Sequence, residues 1–555
     1  MSPQSLLDRI GDWSAGLRYG LLTVIALAFF LPGLFSLPPI DRDESRFAQA
    51  SKQMVETGDY IDIRFQGEPR HKKPAGIYWA QVLAVHATGI TDAIWVYRLP
   101  SLLAAVASVL LTAFIGGLLF TGGVGFGAGL VMASSILLNV EARTGKSDAL
   151  LLACILGALA CLLVMLRCQD STGRGSTASA HGFWALAGAG FMVKGPILFL
   201  PLVGIAIAQG WLARGLGWVR DLKPLTGIPL FLAVALPWYV AIIVISDGGF
   251  LAESVGKDMI AKVQGGQESH GAPPGLYLAL ANVTFWPFSF LGLLALPWIW
   301  RSRRRAEVLL LLGWALFTWI VFALTPTKLA HYVLPAYPAL AILAVAALQD
   351  VDATAPRWWR VVVMLLWGLV TLALAGAMPF VADGAGVSLS PWHFAGILLL
   401  PALWFGLGFL WGTRRSGSQL LGILVTAGLF SGIVFGRFLP GLEPAFVAPR
   451  LAETFRQVAD CPQPRLISAG FNEPSLVFLT ATDTYLTHAQ GAAAKLLDGT
   501  PCQVAAIEAR LEGEFLDHVG ASGAEVEKLD EVRGFNYAKG QRVNISLYRL
   551  REPGN

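Results

Sequence analysis

The sequence predicts a polytopic α-helical membrane protein that ends in a small α/β domain. Of its 555 residues, 55% are hydrophobic and 14% are charged, whereas charged residues make up about a quarter of an ordinary soluble domain. The last long apolar run ends at Phe438, and all 18 tryptophans come before that point, as expected when aromatic side chains mark two membrane interfaces. The classes that remain are transporters, channels, receptors and membrane enzymes.

The net charge of +4 is unevenly distributed along the chain. Residues 439–555 include 15 acidic and 11 basic residues, so the basic surplus lies in residues 1–438. Lysine and arginine in short loops mark the cytoplasmic side of a membrane protein. Because membrane orientation accounts for the surplus, we expect no nucleic-acid partner.

Apolar runs predict about 13 transmembrane helices in residues 1–438. The basic clusters all lie in cytoplasmic loops, which are every second loop, only if the short run 75–90 is a re-entrant or interfacial helix and not a span. This topology puts the first outer loop, residues 38–74, and the C-terminal domain, residues 439–555, outside the cytoplasm. The predicted spans are 19–37, 99–120, 124–140, 149–166, 183–193, 196–212, 228–245, 276–300, 308–324, 330–348, 361–381, 394–411 and 420–438.

The C-terminal domain has the pattern of mixed strands and helices. If it faces an oxidising compartment, Cys461 and Cys502 have the chance to form a disulfide, and the sequence leaves that question open. The predicted strands are 465–469, 476–479, 503–507 and 543–550, and the predicted helices are 448–458 and 490–497.

The first outer loop has acids at its start and cations at its end. Asp43 and Glu44 open a predicted helix whose apolar residues recur on one face, as in a helix that lies in the membrane interface. Asp43 is therefore either an N-cap or a catalytic carboxylate. The run 70–73, Arg-His-Lys-Lys, either anchors the chain to lipid headgroups or binds a phosphate group. A carboxylate and cations in one loop are what sugar transfer from a lipid phosphate requires.

Three further outer segments carry polar groups. Residues 141–148 hold two acids and two cations between apolar runs, and Lys328 and His331 lie near hydrocarbon, where charge is costly and usually functional. The long loop 247–274 has the length of a substrate-covering loop. His71 and His270, with nearby acids, leave open a divalent metal, either zinc or magnesium or manganese, although their spacing matches no ligand motif.

Several motifs together resemble the aminoarabinose (4-amino-4-deoxy-L-arabinose) lipid A transferases. This family is related to the protein O-mannosyltransferases, and both are membrane glycosyltransferases of the GT-C fold. The similar segments are Asp43-Glu44-x-Arg46-Phe47-Ala48, Lys73-Pro74 before Ile77-Tyr78-Trp79, Arg98-Leu99-Pro100-Ser101, and Thr327-Lys328-Leu329 with Tyr332-x-x-Pro335.

The resemblance implies an inverting glycosyltransferase in the bacterial inner membrane. Its donor would be a polyprenyl (undecaprenyl) phosphate sugar, its acceptor a lipid A phosphate or another envelope group, and its active site and C-terminal domain would be periplasmic. Modification of lipopolysaccharide in this way gives polymyxin resistance. We expect membrane lipids as further partners and a monomeric protein.

We expect Asp43 and Asp148 to be the catalytic residues. The donor phosphate and sugar would contact Arg46, Lys73, Lys328, Tyr332 and Glu44, and His270 is the candidate metal ligand. Two alternatives stay open: transfer of another sugar, such as mannose, to protein or envelope glycan, and a secondary transporter or lipid flippase. The absence of paired interrupted helices in two halves favours an enzyme over a transporter.

Overall fold

The computed structural model describes residues 3–172, 175–254, 256, 272–348, 355–388, 390–410 and 416–551. Within these residues, eight helices are long and apolar enough to cross a membrane, or nine if one bent pair is counted as a span. The chain is therefore a multi-pass membrane protein, as predicted. The eight are Ile94–Leu119, Asp148–Cys168, Thr177–Leu212, Pro224–Ile245, Ala306–Leu324, Ala330–Ala347, Arg357–Gly384 and Gly417–Phe438, and the pair is Gly122–Ser134 with Ile136–Ala142, bent by 66°.

The structure divides several predicted spans into shorter pieces, so the count of 13 stays a prediction. The first span is the shorter helix Ala15–Phe30. The run 276–300 becomes three helices, Leu276–Thr284, Ser289–Leu294 and Leu296–Ser302. The remaining helical pieces are Pro3–Gly11, Gly249–Leu251, Leu400–Leu410 and the 3₁₀ turns Gly195–Leu198, Gly217–Leu222, Pro391–Leu399 and Glu443–Ala445.

The short apolar run after the first outer loop forms the helix Gly76–Thr88. At 1.5 Å per residue its 13 residues extend about 20 Å, too little for the hydrocarbon core of a bilayer. A Cβ atom on Gly76 would lie 2.7 Å from the carbonyl oxygen of Met192, so only glycine allows this close approach of the two backbones. The helix is therefore too short for a span, and its interfacial position stays a prediction.

The first outer loop contains the helix Asp43–Thr57, which we call the first-loop helix, and a small hairpin of β1 (Arg64–Phe65) and β2 (Glu68–Pro69). Its apolar residues Phe47, Ala50 and Met54 are buried, as the pattern predicts. Its polar residues Gln49 and Lys52 are buried as well. The C-terminal domain covers them, so the prediction of a helix with its polar face towards headgroups and water was incomplete.

The C-terminal domain contains a five-stranded mixed sheet in the order β4-β3-β5-β7-β6. Strand β3 is parallel to β4 and β5, and β7 is antiparallel to β5 and β6. Two apolar clusters cover its faces. The strands are β3 (Arg465–Ala469), β4 (Tyr485–Thr487), β5 (Gln503–Glu508), β6 (Val526–Asn536) and β7 (Gln541–Leu550), and the helices are Val447–Val458, Pro474–Leu479, Ala489–Leu496 and Ala509–Ala521.

One predicted strand of this domain was wrong. Residues 476–479 lie in the helix Pro474–Leu479, which has a proline in its first turn. A run of four apolar residues does not distinguish a buried strand from a buried helix, and proline at the first position favours the helix. The other three predicted strands and both predicted helices are confirmed within one or two residues at each end.

Candidate functional site

A buried ion pair joins the first outer loop to the helix Ile94–Leu119. The Arg98 guanidinium donates to both oxygens of Glu44, at 2.8 and 2.9 Å, and to the carbonyl oxygens of Leu34, Leu37 and Pro38. Both side chains are at most 1% exposed. All five N–H groups of the arginine therefore have an acceptor, which is the condition for burying such a charge.

The Glu44 carboxylate also fixes two backbone segments. It accepts hydrogen bonds from the N–H groups of Ile40, at 2.9 Å, and Gly145, at 2.7 Å. The turn that contains Gly145 is held further by the Gln81 side chain, which donates to the Gly145 carbonyl oxygen at 3.0 Å. The start of the first-loop helix and the turn 143–147 are thus fixed relative to each other.

Five ionisable side chains meet beside this turn. Lys146 donates to Glu141 at 3.0 Å, and Lys194 donates to Asp148 at 2.5 Å. His331 lies 3.8 Å from the same Asp148 oxygen. Each of these five side chains is at most 17% exposed. We call this group the buried charge cluster.

The charge of Asp43 acts on Lys146 of this cluster. Burial would lower the pKa of Lys146, but the carboxylates of Glu141 and Asp148 outweigh that effect and raise the pKa, and Asp43 adds to the rise. Asp43 itself is exposed and is the first residue of the first-loop helix, with no side-chain cap at residue 42. Lys146 is therefore held as a cation, and the charge of Asp43 favours that state.

The other end of the first outer loop returns to the same helix. The Arg70 guanidinium lies 5.1 Å from the Phe47 ring centroid and donates to the Tyr78 hydroxyl at 3.2 Å. The charge of Asp43 also acts on Tyr78. Lys73 is partly buried three residues beyond Arg70. Arg70 thus ties the end of the loop to the first-loop helix, and the convergence of Asp43 with Lys73 stays a prediction.

Two predicted donor contacts have other partners in the structure. Glu44 uses both oxygens within the ion pair and the two backbone hydrogen bonds described above. The Lys328 ammonium donates to the carbonyl oxygens of Phe322, at 3.2 Å, Ala323, at 2.9 Å, and Thr325, so it caps the end of the helix Ala306–Leu324. Both residues therefore have their polar atoms bonded to the protein, and their contact with a donor stays a prediction.

Of the remaining predicted residues, Tyr332 lies at the cluster. Tyr332 is 9% exposed, and its ring centroid is 5.9 Å from the Lys194 ammonium. Arg46 is partly buried in the first turn of the first-loop helix. His270 lies outside the described residues.

The described residues offer one group that could approach a metal ion. Ligand atoms of Glu141, Asp148 and His331 lie within 4.8 Å of one another. Both carboxylates, however, already accept from a lysine ammonium, and two ammonium groups this close would repel a divalent cation. His71, the other histidine named above, is bonded to Asp62 at 2.8 Å. This donor set suits an ion-pair network and fits a divalent metal poorly.

Lys194 is the site residue that sequence reasoning missed. It follows the apolar run 183–193 and ends the α-helix Thr177–Lys194, the first part of the longer span Thr177–Leu212. Gly195 has a φ of +65° and turns the chain there. A lysine at the end of an apolar run, next to glycine and proline, was the signal that could have identified it.

We expect Lys194→Met to abolish most of the sugar transfer that the motif resemblance implies. The change leaves the Asp148 carboxylate buried without its closest cation, a loss of about 3–5 kcal/mol for a buried pair. The double variant Asp148→Asn with Lys194→Met should recover thermal stability and not activity. Lys495→Met breaks an exposed pair with Asp498 and should change stability by about 1 kcal/mol or less. Unchanged activity in Lys194→Met would remove the pair from the site.

Several known proteins resemble this chain in sequence. The family model for dolichyl-phosphate-mannose-protein mannosyltransferases matches residues 72–240. The chain is 27% identical over 443 residues to the undecaprenyl phosphate-alpha-4-amino-4-deoxy-L-arabinose arabinosyl transferase of Edwardsiella ictaluri, covering 76% of this chain and 77% of that protein. It is 28% identical over 334 residues to the transferase of the same name from Pseudomonas aeruginosa, covering 58% of each chain.

A solved structure shares the fold over almost the whole chain. The crystal structure of ArnT from Cupriavidus metallidurans bound to undecaprenyl phosphate superposes with a TM-score of 0.75 and 19% identity, covering 96% of this chain and 98% of that one. The same protein in the apo state gives a TM-score of 0.70. The resemblance drawn from the motifs is thereby confirmed, and the chain has the GT-C fold of these membrane glycosyltransferases.

Proposed function

We propose that this relative of the aminoarabinose transferases is an inverting membrane glycosyltransferase. It would move 4-amino-4-deoxy-L-arabinose from undecaprenyl phosphate to a phosphate of lipid A on the periplasmic side of the bacterial inner membrane. The observation that carries the proposal is the buried charge cluster, whose neighbouring turn 143–147 is bonded through Gly145 to Glu44, the residue after Asp43. The sugar and the donor in this proposal are the ones that the names of the related proteins contain.

In the proposed reaction, an acceptor oxygen attacks the anomeric carbon and the bond from that carbon to the donor phosphate breaks. The Asp43 carboxylate removes the proton of a hydroxyl acceptor, or orients a phosphate acceptor that is already ionised. Arg46 and Lys73 stabilise the charge that develops on the departing phosphate, where cations lower a barrier most. The undecaprenyl phosphate then leaves along an apolar groove between the membrane helices.

The buried charge cluster would keep its groups in place during the reaction. Lys146 and Lys194 hold the carboxylates of Glu141 and Asp148 in fixed positions before the substrate binds. A site that is already organised needs little rearrangement when charge develops. We place Asp148 of the cluster and the neighbouring Tyr332 nearest to the sugar.

The main experiment is a transfer assay with purified protein. Radiolabelled undecaprenyl phosphate aminoarabinose and lipid A are incubated in detergent or vesicles, and the label is followed between the two lipids. Transfer to lipid A supports the proposal. Movement of labelled donor across the vesicle membrane without transfer supports the flippase alternative, and transfer of mannose to protein or glycan supports a transferase of another specificity.

The two cysteines of the C-terminal domain test the proposed orientation. Burial and a hydrogen bond to the Cys502 thiol raise the pKa of Cys461 to about 11, so the two thiols are close together. In the periplasm we expect a thiol–disulfide oxidoreductase to accept two electrons and two protons from them and leave a disulfide. Protein alkylated before reduction should keep both cysteines unmodified, and reduction should make them reactive.

A control separates pairing from orientation. A Cys461→Ser variant keeps Cys502 as the one thiol of its C-terminal domain. A membrane-impermeant maleimide should label Cys502 in cells whose outer membrane is permeabilised. Labelling that requires disruption of the inner membrane would contradict the periplasmic assignment. Labelling of both thiols in the unreduced wild-type protein would contradict the disulfide but not the periplasmic assignment.

A further inference from the structure

The C-terminal domain contacts the turn that leads into Asp43. The Asp41 N–H donates to the Tyr537 hydroxyl at 2.6 Å, and the Arg42 guanidinium donates to the Ala538 carbonyl oxygen at 2.8 Å. The Ser475 N–H donates to the Asp41 carboxylate at 3.2 Å. Three hydrogen bonds therefore join the C-terminal domain to the consecutive residues Asp41 and Arg42.

The backbone at this turn adopts a conformation that needs such support. Arg42 has a φ of 70° and a ψ of −89°, far from the allowed regions of a residue with a side chain. A backbone strained in this way persists only where the surroundings determine it. Asp43 comes directly after this residue, so the direction of its side chain depends on the turn.

The contacting groups of the C-terminal domain are themselves rigidly connected. The Asn536 side chain accepts hydrogen bonds from the N–H groups of Ala538, at 3.0 Å, and Lys539, at 3.3 Å, which fixes the turn between β6 and β7. It also donates to the Glu473 carboxylate at 2.9 Å. Asn536 and Glu473 are both 3% exposed. Since Glu473 is two residues before Ser475, both contact points belong to one fixed unit.

Contacts farther along the first-loop helix keep the same domain in place. The Gln49 side chain donates to the Thr482 hydroxyl at 2.7 Å, and that hydroxyl donates to the Glu56 carboxylate at 2.7 Å. The Phe478 ring packs edge-on against the Tyr97 ring with centroids 5.3 Å apart. The domain therefore docks along the whole helix.

We propose that the β6–β7 turn and Ser475 form a clamp that holds residues 41 and 42 in the conformation from which Asp43 enters the site, which makes Tyr537 a positioning residue for transfer. The proposal rests on the proposed function in so far as Asp43 acts in transfer. The clamp gives the C-terminal domain a part in the reaction although its own residues need not touch the substrate.

The test uses Tyr537→Phe in the full-length protein, with Tyr485→Phe as the matched control. Tyr537→Phe removes only the hydroxyl that accepts from the Asp41 N–H, and Tyr485 is an exposed tyrosine of the same domain. We expect kcat to fall about tenfold, the effect of losing one hydrogen bond to a buried group, while KM for the donor and the melting temperature stay as in the wild type. Arg42→Gln, which removes the contact to Ala538, should show the same split.

Hydrogen exchange measures the clamp without any activity assay. In Tyr537→Phe, amides of residues 40–46 should exchange faster, whereas those of the sheet and of the Tyr485→Phe control should not change. Unchanged exchange together with unchanged kcat overturns the clamp. Faster exchange with unchanged kcat overturns its part in transfer, and a fall in kcat with lower thermal stability would show a purely structural role. If the wild type transfers no sugar, the proposed function fails, and exchange still decides whether the clamp exists.

Discussion

Asp43→Asn should bind the undecaprenyl phosphate sugar with unchanged affinity and fail to transfer it. The asparagine side chain has nearly the same shape but neither accepts a proton nor carries the charge that acts on Lys146. Loss of a general base lowers a rate by roughly a hundredfold to ten-thousandfold. Turnover with the radiolabelled donor and a separate binding titration measure the two properties independently.

Asp59→Asn is the matched control for this substitution. Asp59 is an exposed residue of the same outer loop, and its carboxylate accepts from backbone N–H groups that an asparagine oxygen also satisfies. We expect this variant to transfer sugar at the wild-type rate. Undiminished turnover in Asp43→Asn would remove Asp43 from the mechanism, and equal losses in both variants would point to disruption of the loop.

Glu44→Gln should destabilise the protein and remove activity together. The glutamine keeps the shape but leaves the Arg98 guanidinium without its countercharge at a position where both side chains are almost fully buried. Breaking a buried pair by removing one partner costs about 3–5 kcal/mol. A lower melting temperature in detergent and a smaller amount of protein in the membrane measure this effect.

Glu531→Gln provides the comparison at the surface. Glu531 also contacts two cations, Lys528 at 2.6 Å and Arg533 at 2.5 Å, but all three side chains are partly exposed on the C-terminal domain. Exposed pairs contribute about 1 kcal/mol or less, so this variant should melt close to the wild type. A Glu44→Gln protein that is as stable as Glu531→Gln would show that the Arg98 network does not position the site.

Much of the fold could be predicted because apolar runs and short motifs are local properties. The run 75–90 was too short for a span, and the structure has a helix of 13 residues there. The strand at 465–469 and the helix near 448–458 followed from their periodicity. The helix at 474–479 was predicted wrongly as a strand, since four apolar residues fit both kinds of secondary structure and the signal of Pro474 was not used.

The candidate site was predictable in part for the same reason. Asp43 and Lys73 lie in one loop, and their chemistry can be inferred from its sequence. Lys194 pairs with Asp148 across 46 residues, and Arg98 pairs with Glu44 across 54. No local pattern encodes a contact over such distances.

The sequence by itself determined that the chain is a membrane protein, where most of its apolar helices lie along the chain, and which loop carries acids and cations. Those properties depend on the free energy of transferring each segment from water to lipid, which is set locally. Only the tertiary structure decided which charges neutralise one another, that Glu44 and Lys328 have their polar atoms bonded within the protein, and that Tyr537 reaches the turn before Asp43. Burying a charge requires a partner, and the partner is fixed by how the helices and the C-terminal domain pack.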